Sequence, residues 1–177
     1  MRAVIPESTP LFVRISSTEW MEWAGEPSWD VEQSTRLAKL LPDLGVDLLD
    51  VSSGGNSSTQ KIKLHPYYQV SIAGRIREAL RADGKDLLVG AVGMITTAEM
   101  ARSIVQDGKL VEGPAAPGAT VEVDEGHGQV TQADIVIIAR QFLREPEFVL
   151  RTAHQLGVKV KWPNQYSRAA WPKDAKI

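Results

Sequence analysis

The sequence predicts an α/β protein built from four βα units with parallel strands. Three observations carry this reading. Short aliphatic runs alternate with helical patterns along the whole chain, the runs do not alternate apolar with polar residues, and the helical patterns stop near glycines. Near-continuous apolar strands indicate burial on both faces, as in parallel sheets. The order β-α-β-α-β-α-β-α then implies right-handed crossovers between neighbouring strands.

Each element follows from its residues. Residues 11–15 form the first aliphatic run. A helical pattern follows, with Leu37, Leu40, Leu41 and Leu44 on one face. It stops at Gly45, and Pro42 near its end is expected to kink it. The second run is 47–51. After it Ile72, Ile76 and Leu80 recur at i, i+4 and i+8, and that helix stops near Gly84. The third run, 87–92, precedes a helix holding Met100, Ile104 and Val105, with Thr97 as N-cap and Gly108 at its end. The fourth run is 133–138. Its helix begins near Pro146, a good first-turn residue, places Val149, Ala153 and Leu156 on one face, and ends at Gly157.

Two segments fall outside the pattern. Residues 109–132 are rich in Gly and Pro and read as a surface insertion, a small hairpin whose turn contains Gly126. The tail, 158–177, carries Trp162 and Trp171 and no helical period. The whole chain, 1–177, reads as one unit. Two architectures stay open at this point: a doubly wound sheet, or part of a (β/α)8 barrel, of which four βα units are half.

Composition narrows the function classes. With 177 residues, 43% hydrophobic residues and a formal net charge of −2, the chain suits one soluble globular unit. Its basic residues are scattered, so neither nucleic acid nor an anionic membrane is expected as a partner. There are no cysteines, which excludes disulfides and Cys-ligated metal sites and fits a reducing compartment. The apolar start stops at Pro6 and Glu7, too short for a signal peptide, and no apolar run has membrane-spanning length. A cytoplasmic protein is the expectation. The three histidines, His65, His127 and His154, do not converge on a metal site, and no Gly-x-Ser-x-Gly elbow occurs. The tryptophans read as core or interface residues rather than as a cofactor box.

In parallel α/β proteins, sites form at the C-terminal ends of strands. The first strand carries Arg14, which must find a counter-charge or dipole because an unpaired buried charge is very costly. A bound ring or anion and an ion pair in the core both satisfy it. The second ends in Ser52-Ser53-Gly54-Gly55, whose exposed amides and hydroxyls suit an anion, as they also suit an ordinary polar loop. It is not a P-loop, since no Gly-Lys-Ser/Thr follows. The third ends in Gly93 just before a helix, which suits a phosphate or a tight turn. The fourth ends in Ala139-Arg140, where the strand turns into a helix. If the third and fourth strands are the last two of a barrel, their loops form a phosphate site together.

Taken in order, these strings become specific. Leu11-Phe12-Val13-Arg14-Ile15-Ser16, then Gly45-Val46-Asp47-Leu48-Leu49-Asp50-Val51-Ser52-Ser53-Gly54, then Gly90-Ala91-Val92-Gly93-Met94-Ile95, then Ala139-Arg140 with Leu143-Arg144-Glu145-Pro146, resemble the C-terminal half of Old Yellow Enzymes. The closing Gln165-Tyr166-Ser167-Arg168-Ala169-Ala170-Trp171 resembles the tail of the thermophilic-like class, and the insertion resembles that of fungal members.

The resemblance implies the last four βα units of a (β/α)8 barrel. It implies FMN as cofactor, NAD(P)H as reductant and an activated alkene as hydride acceptor. By the same resemblance Arg14 lies near the flavin's N1/O2 edge. Ser52, Gly93, Ala139 and Arg140 hold the FMN phosphate, Arg168 reaches a neighbouring subunit's active site, and Trp171 packs at that interface. Ala139 departs from the glycine usual there. The family's paired His/Asn or His/His and its proton-donating tyrosine have no counterpart in this chain, so no catalytic residue is assigned and little activity is expected of it alone.

A half barrel leaves two sheet edges and an inner face open, which favours association or aggregation; the chain is then part of a longer enzyme, a truncated product, or one half that pairs with another half barrel or with its own copy. The alternative is a non-catalytic flavin-binding or interaction protein. A sugar-phosphate enzyme is a third reading.

Overall fold

The computed structural model describes residues 1–106, 130–172 and 175. Four strands, β1 (Phe12–Ser16), β2 (Leu48–Ser52), β3 (Leu88–Val92) and β4 (Ile135–Ile137), pair in parallel in the order β1-β2-β3-β4. Each crossover therefore steps one strand in the same direction. A doubly wound sheet reverses direction at a switch point. This sheet does not, so of the two architectures open to the sequence it is half of a (β/α)8 barrel.

The helices are α1 (Val31–Leu40), α2 (Val70–Ala82), α3 (Ala98–Val105), α4 (Arg140–Arg144) and α5 (Phe148–Gln155). A capping box starts α1: the Asp30 carboxylate accepts from the Gln33 amide at 2.8 Å, and the Gln33 side chain accepts from the Asp30 amide at 3.0 Å. Pro42 stops α1 rather than kinking it; the chain continues as a 3₁₀ turn, Pro42–Leu44, closed by Gly45 at φ +74°. Thr97 caps α3 as expected, its hydroxyl accepting from the Met100 amide at 3.1 Å. Among the described residues no helix is long and apolar enough to cross a membrane.

Strand register assigns the two sheet faces. Leu49, Val51, Val89 and Ala91 point to the helices and join Ile76, Leu80, Met100 and Ile104 in the main core, with Val13, Ile15, Val136 and Ile138 packed against it. The opposite face carries three rows: Phe12, Leu48 and Leu88; Arg14, Asp50, Gly90 and Ile135; Ser16, Ser52, Val92 and Ile137. This is the face that would line a barrel's interior, and it is open to solvent in part. Phe12 is 60% exposed, Leu88 45% and Ile135 41%.

Some expectations need correction. Of the expected face Leu37 and Leu41 pack in or against the core, whereas Leu40 and Leu44 are exposed, because the residues α1 itself buries are Ser34 and Ala38. Val149 is exposed as well: α5 buries Phe148 and Ala153. The last helix, α5, starts two residues after the expected Pro146, and a separate short helix, α4, precedes it. The tail holds a 3₁₀ segment, Asn164–Ala169. None of the five tryptophans is fully buried. Trp20 packs against the core, Trp23 and Trp29 are exposed, and Trp162 and Trp171 meet edge to face at 5.2 Å. The expected insertion, with Gly126 and His127, lies outside the described residues apart from its last three, and so does Gly108.

Candidate functional site

A cavity of about 460 Å³ opens at the C-terminal ends of β3 and β4. That volume lies in the range of small-ligand sites. Gly93, Ala139 and Arg140 all line it, so three of the residues singled out in the sequence converge on one place. The walls are otherwise largely apolar, with Tyr68, Val92, Ile95, Met100 and Ile137 among them.

Arg140 and Arg144 line this cavity, and among the described residues no carboxylate does. Both arginines are exposed, and neither has an ion-pair partner among the described residues. Arg144 lies one helical turn after Arg140 on α4, so the two neighbour each other on its surface. Sequence reading had not singled out Arg144 for the site; its spacing from Arg140 was the available signal. The result is a cationic rim over an apolar wall, which suits a ligand with an anionic end.

Backbone geometry at β3 serves the same place. Gly93 takes φ +109°, and Met94 after it φ +56°. Only glycine occupies the first of these freely. The helix does not start at once, however: Met94–Thr97 intervene, and Thr97 caps α3 itself. The turn, rather than a free helix terminus, lies at the cavity wall. Ala139 has a negative φ of −124°, outside the left-handed region, so no positive φ calls for glycine at this position.

Ser52 does not line the cavity. It stands beside it, its hydroxyl 3.5 Å from Gln69 Oε1. Gln69, which sequence reading missed, connects the ends of β2 and β3: it also accepts from Ser53 Oγ at 2.9 Å and donates to the Val92 carbonyl at 2.7 Å. Arg14 lies on the open inner face and outside the cavity. Its Nε donates to Asp50 Oδ2 at 2.5 Å, its side chain is 55% exposed, and that of Asp50 is 11% exposed. An ion pair thus satisfies one edge of the guanidinium and leaves its terminal nitrogens to the inner face. Arg168 is exposed on the C-terminal 3₁₀ segment. Trp171 packs within this chain, against Trp162 and against His154, 5.9 Å away.

No family model matches the chain. Curated proteins do. An NADH:flavin oxidoreductase of Gibberella zeae is 38% identical over 173 residues, covering 93% of this chain and 35% of that protein. The NADPH dehydrogenase of Bacillus subtilis is 35% identical over 90% of this chain and 37% of its own length. That of Bacillus velezensis is 34% identical over 90% of this chain and 38% of its own. The chain belongs to the Old Yellow Enzyme family. It spans about a third of the length of these relatives, as a C-terminal part. In barrels the loops after the last two strands commonly bind phosphate, and the cationic cavity lies at the ends of β3 and β4, the last two strands of this sheet.

Proposed function

We propose that this chain supplies the phosphate-holding part of an FMN-dependent NAD(P)H oxidoreductase whose hydride acceptor is an activated alkene. The observation that carries the reading is the cavity at β3 and β4, lined by two arginines that have no ion-pair partner, and by no carboxylate, among the described residues. Its donor chemistry fits a phosphate monoester. Arg140 would fork onto phosphate oxygens, Arg144 would add a second positive charge, and Gly93 would let the backbone approach closely. Arg14, held by Asp50 through one edge only, would present its other nitrogens to the negative edge of a flavin ring. Bound FMN would supply the two-electron carrier that no side chain can.

This chain has no counterpart of the paired histidine/asparagine motif or of the proton-donating tyrosine. A second reading follows from that observation: the chain binds flavin without turnover. Binding and turnover therefore need separate tests.

FMN and riboflavin differ only in the phosphate, so comparing them isolates the site. The chain is expected to bind FMN more tightly than riboflavin. Arg140→Ala should weaken FMN binding roughly tenfold or more, from about 1.5–3 kcal/mol for a charge-assisted hydrogen bond, and leave riboflavin binding unchanged. Equal affinity for both flavins in the unaltered chain would count against the phosphate site. NADPH oxidation by the FMN-loaded chain at a rate typical of enzymes would rule out the non-catalytic reading.

A further inference from the structure

Gln69 is a buried polar side chain, 4% exposed, at the start of α2. Backbone pairing of β2 with β3 ends at Val51 and Ala91. Beyond that point Gln69 bridges the strands. Ser53 Oγ and Ser52 Oγ donate to its Oε1 at 2.9 and 3.5 Å, and its Nε2 donates to the Val92 carbonyl at 2.7 Å. The orientation of the amide follows from chemistry, since a carbonyl only accepts and the NH₂ group must face it.

We propose that Gln69 is the positioning residue of the anion cavity. This rests on the phosphate-site reading above and deepens it. In a planar trans peptide the C=O and the following N–H point in opposite directions. Pinning the Val92 carbonyl therefore sets the direction of the Gly93 N–H. It also fixes where the Gly93–Met94 turn, with φ +109° and +56°, meets the cavity that Arg140 borders. Gln69 fills the space under that turn: a Cβ on Gly93 would lie 2.4 Å from its Nε2. Gln69 does not line the cavity, so it acts through the turn and not by touching the ligand.

The test uses the ratio of FMN to riboflavin affinity, which a purely structural role does not move. Gln69→Leu removes both sets of hydrogen bonds. Gln69→Glu keeps the acceptor for Ser53 and, as a carboxylate, loses the donor to Val92. Each is expected to lower the preference for FMN by about tenfold while riboflavin affinity stays within about twofold. Ser53→Ala removes the nearer of the two hydroxyls on Gln69 Oε1 and is expected to lower the preference by about threefold; it carries the test if the Gln69 variants do not fold. If folded variants keep the wild-type ratio, Gln69 is structural only and the proposal is overturned. If the unaltered chain shows no preference for FMN, the phosphate-site reading fails and takes this proposal with it.

Discussion

Gly93 is the residue at which conformation and contact make the same demand. Its φ of +109° excludes a side chain on backbone grounds, and Gln69 occupies the volume a methyl group would need. Gly93→Ala is therefore expected to cost about 1–3 kcal/mol, measured by urea denaturation. A variant as stable as the parent would mean that the turn relaxes freely. Gly93, Ala139 and Arg140 were legible in the sequence, because sites in parallel α/β folds sit where strands end, and a strand end is a local feature. Gln69 was not, since its partners Ser52, Ser53 and Val92 lie 16 to 23 residues away. One signal was available. The buried stripe of α2 through Ala73, Ile76 and Leu80 extends back, at helical spacing, to position 69, and a polar residue on a buried stripe requires partners. Arg14 was read with two possible partners, an ion pair or a bound group; the ion pair with Asp50 is present and leaves part of the guanidinium uncommitted.

Between elements, two carboxylates hold the last unit of the sheet in place. Asp134, just before β4, accepts from Arg77 Nε at 3.0 Å and Arg81 Nη2 at 3.3 Å on α2, and from the Val89 amide of β3 at 2.9 Å. Asp134→Ala orphans the Val89 amide and removes the carboxylate partner of Arg77 and Arg81, for an expected loss of about 1–3 kcal/mol in the same denaturation assay. Glu145 links α4 to α5 by a bidentate pair with Arg151. The Arg151 hydrogen bond holds the Glu145 carboxyl below the usual carboxylate range, and the same bond raises the Arg151 guanidinium. A depressed folded-state pKa contributes stability that is present above the unfolded value and is lost as pH falls through the folded one. The contribution should therefore disappear on acidification below the ordinary carboxylate value of about 4.3, and Glu145→Gln should flatten that part of the melting-temperature profile. An unchanged acid limb would show that the pair is not coupled to folding. All four strands were legible to within a residue or two, because buried parallel strands are continuous apolar runs. The helix faces at Leu40, Leu44 and Val149 were not. In helices this short, several apolar residues fit the period, and packing against the neighbouring elements selects among them.

At the scale of the whole molecule, the sheet has one closed face and one open one. The helices bury Leu49, Val51, Val89 and Ala91, whereas Phe12, Leu88 and Ile135 remain substantially exposed on the other side. β1 and β4 have no outer strand neighbour among the described residues, so both edges offer free backbone groups. Parallel edges and an apolar inner face are complementary to another sheet of the same kind, since strand order and direction allow β4 of one unit to lie parallel to β1 of the next. Association is the expected consequence, with a second copy or with another half barrel. In sedimentation velocity, the mean mass of the chain should rise with concentration. Leu88→Lys combined with Ile135→Lys places charges on the inner face at positions already partly exposed. This pair should return the chain to monomer and leave the melting temperature of the dilute protein nearly unchanged, because neither side chain belongs to the helix-side core. A chain that stays monomeric at every concentration would mean that the inner face is tolerated in water as it stands. FMN binding measured on that monomer would then report a phosphate site that needs no partner to form.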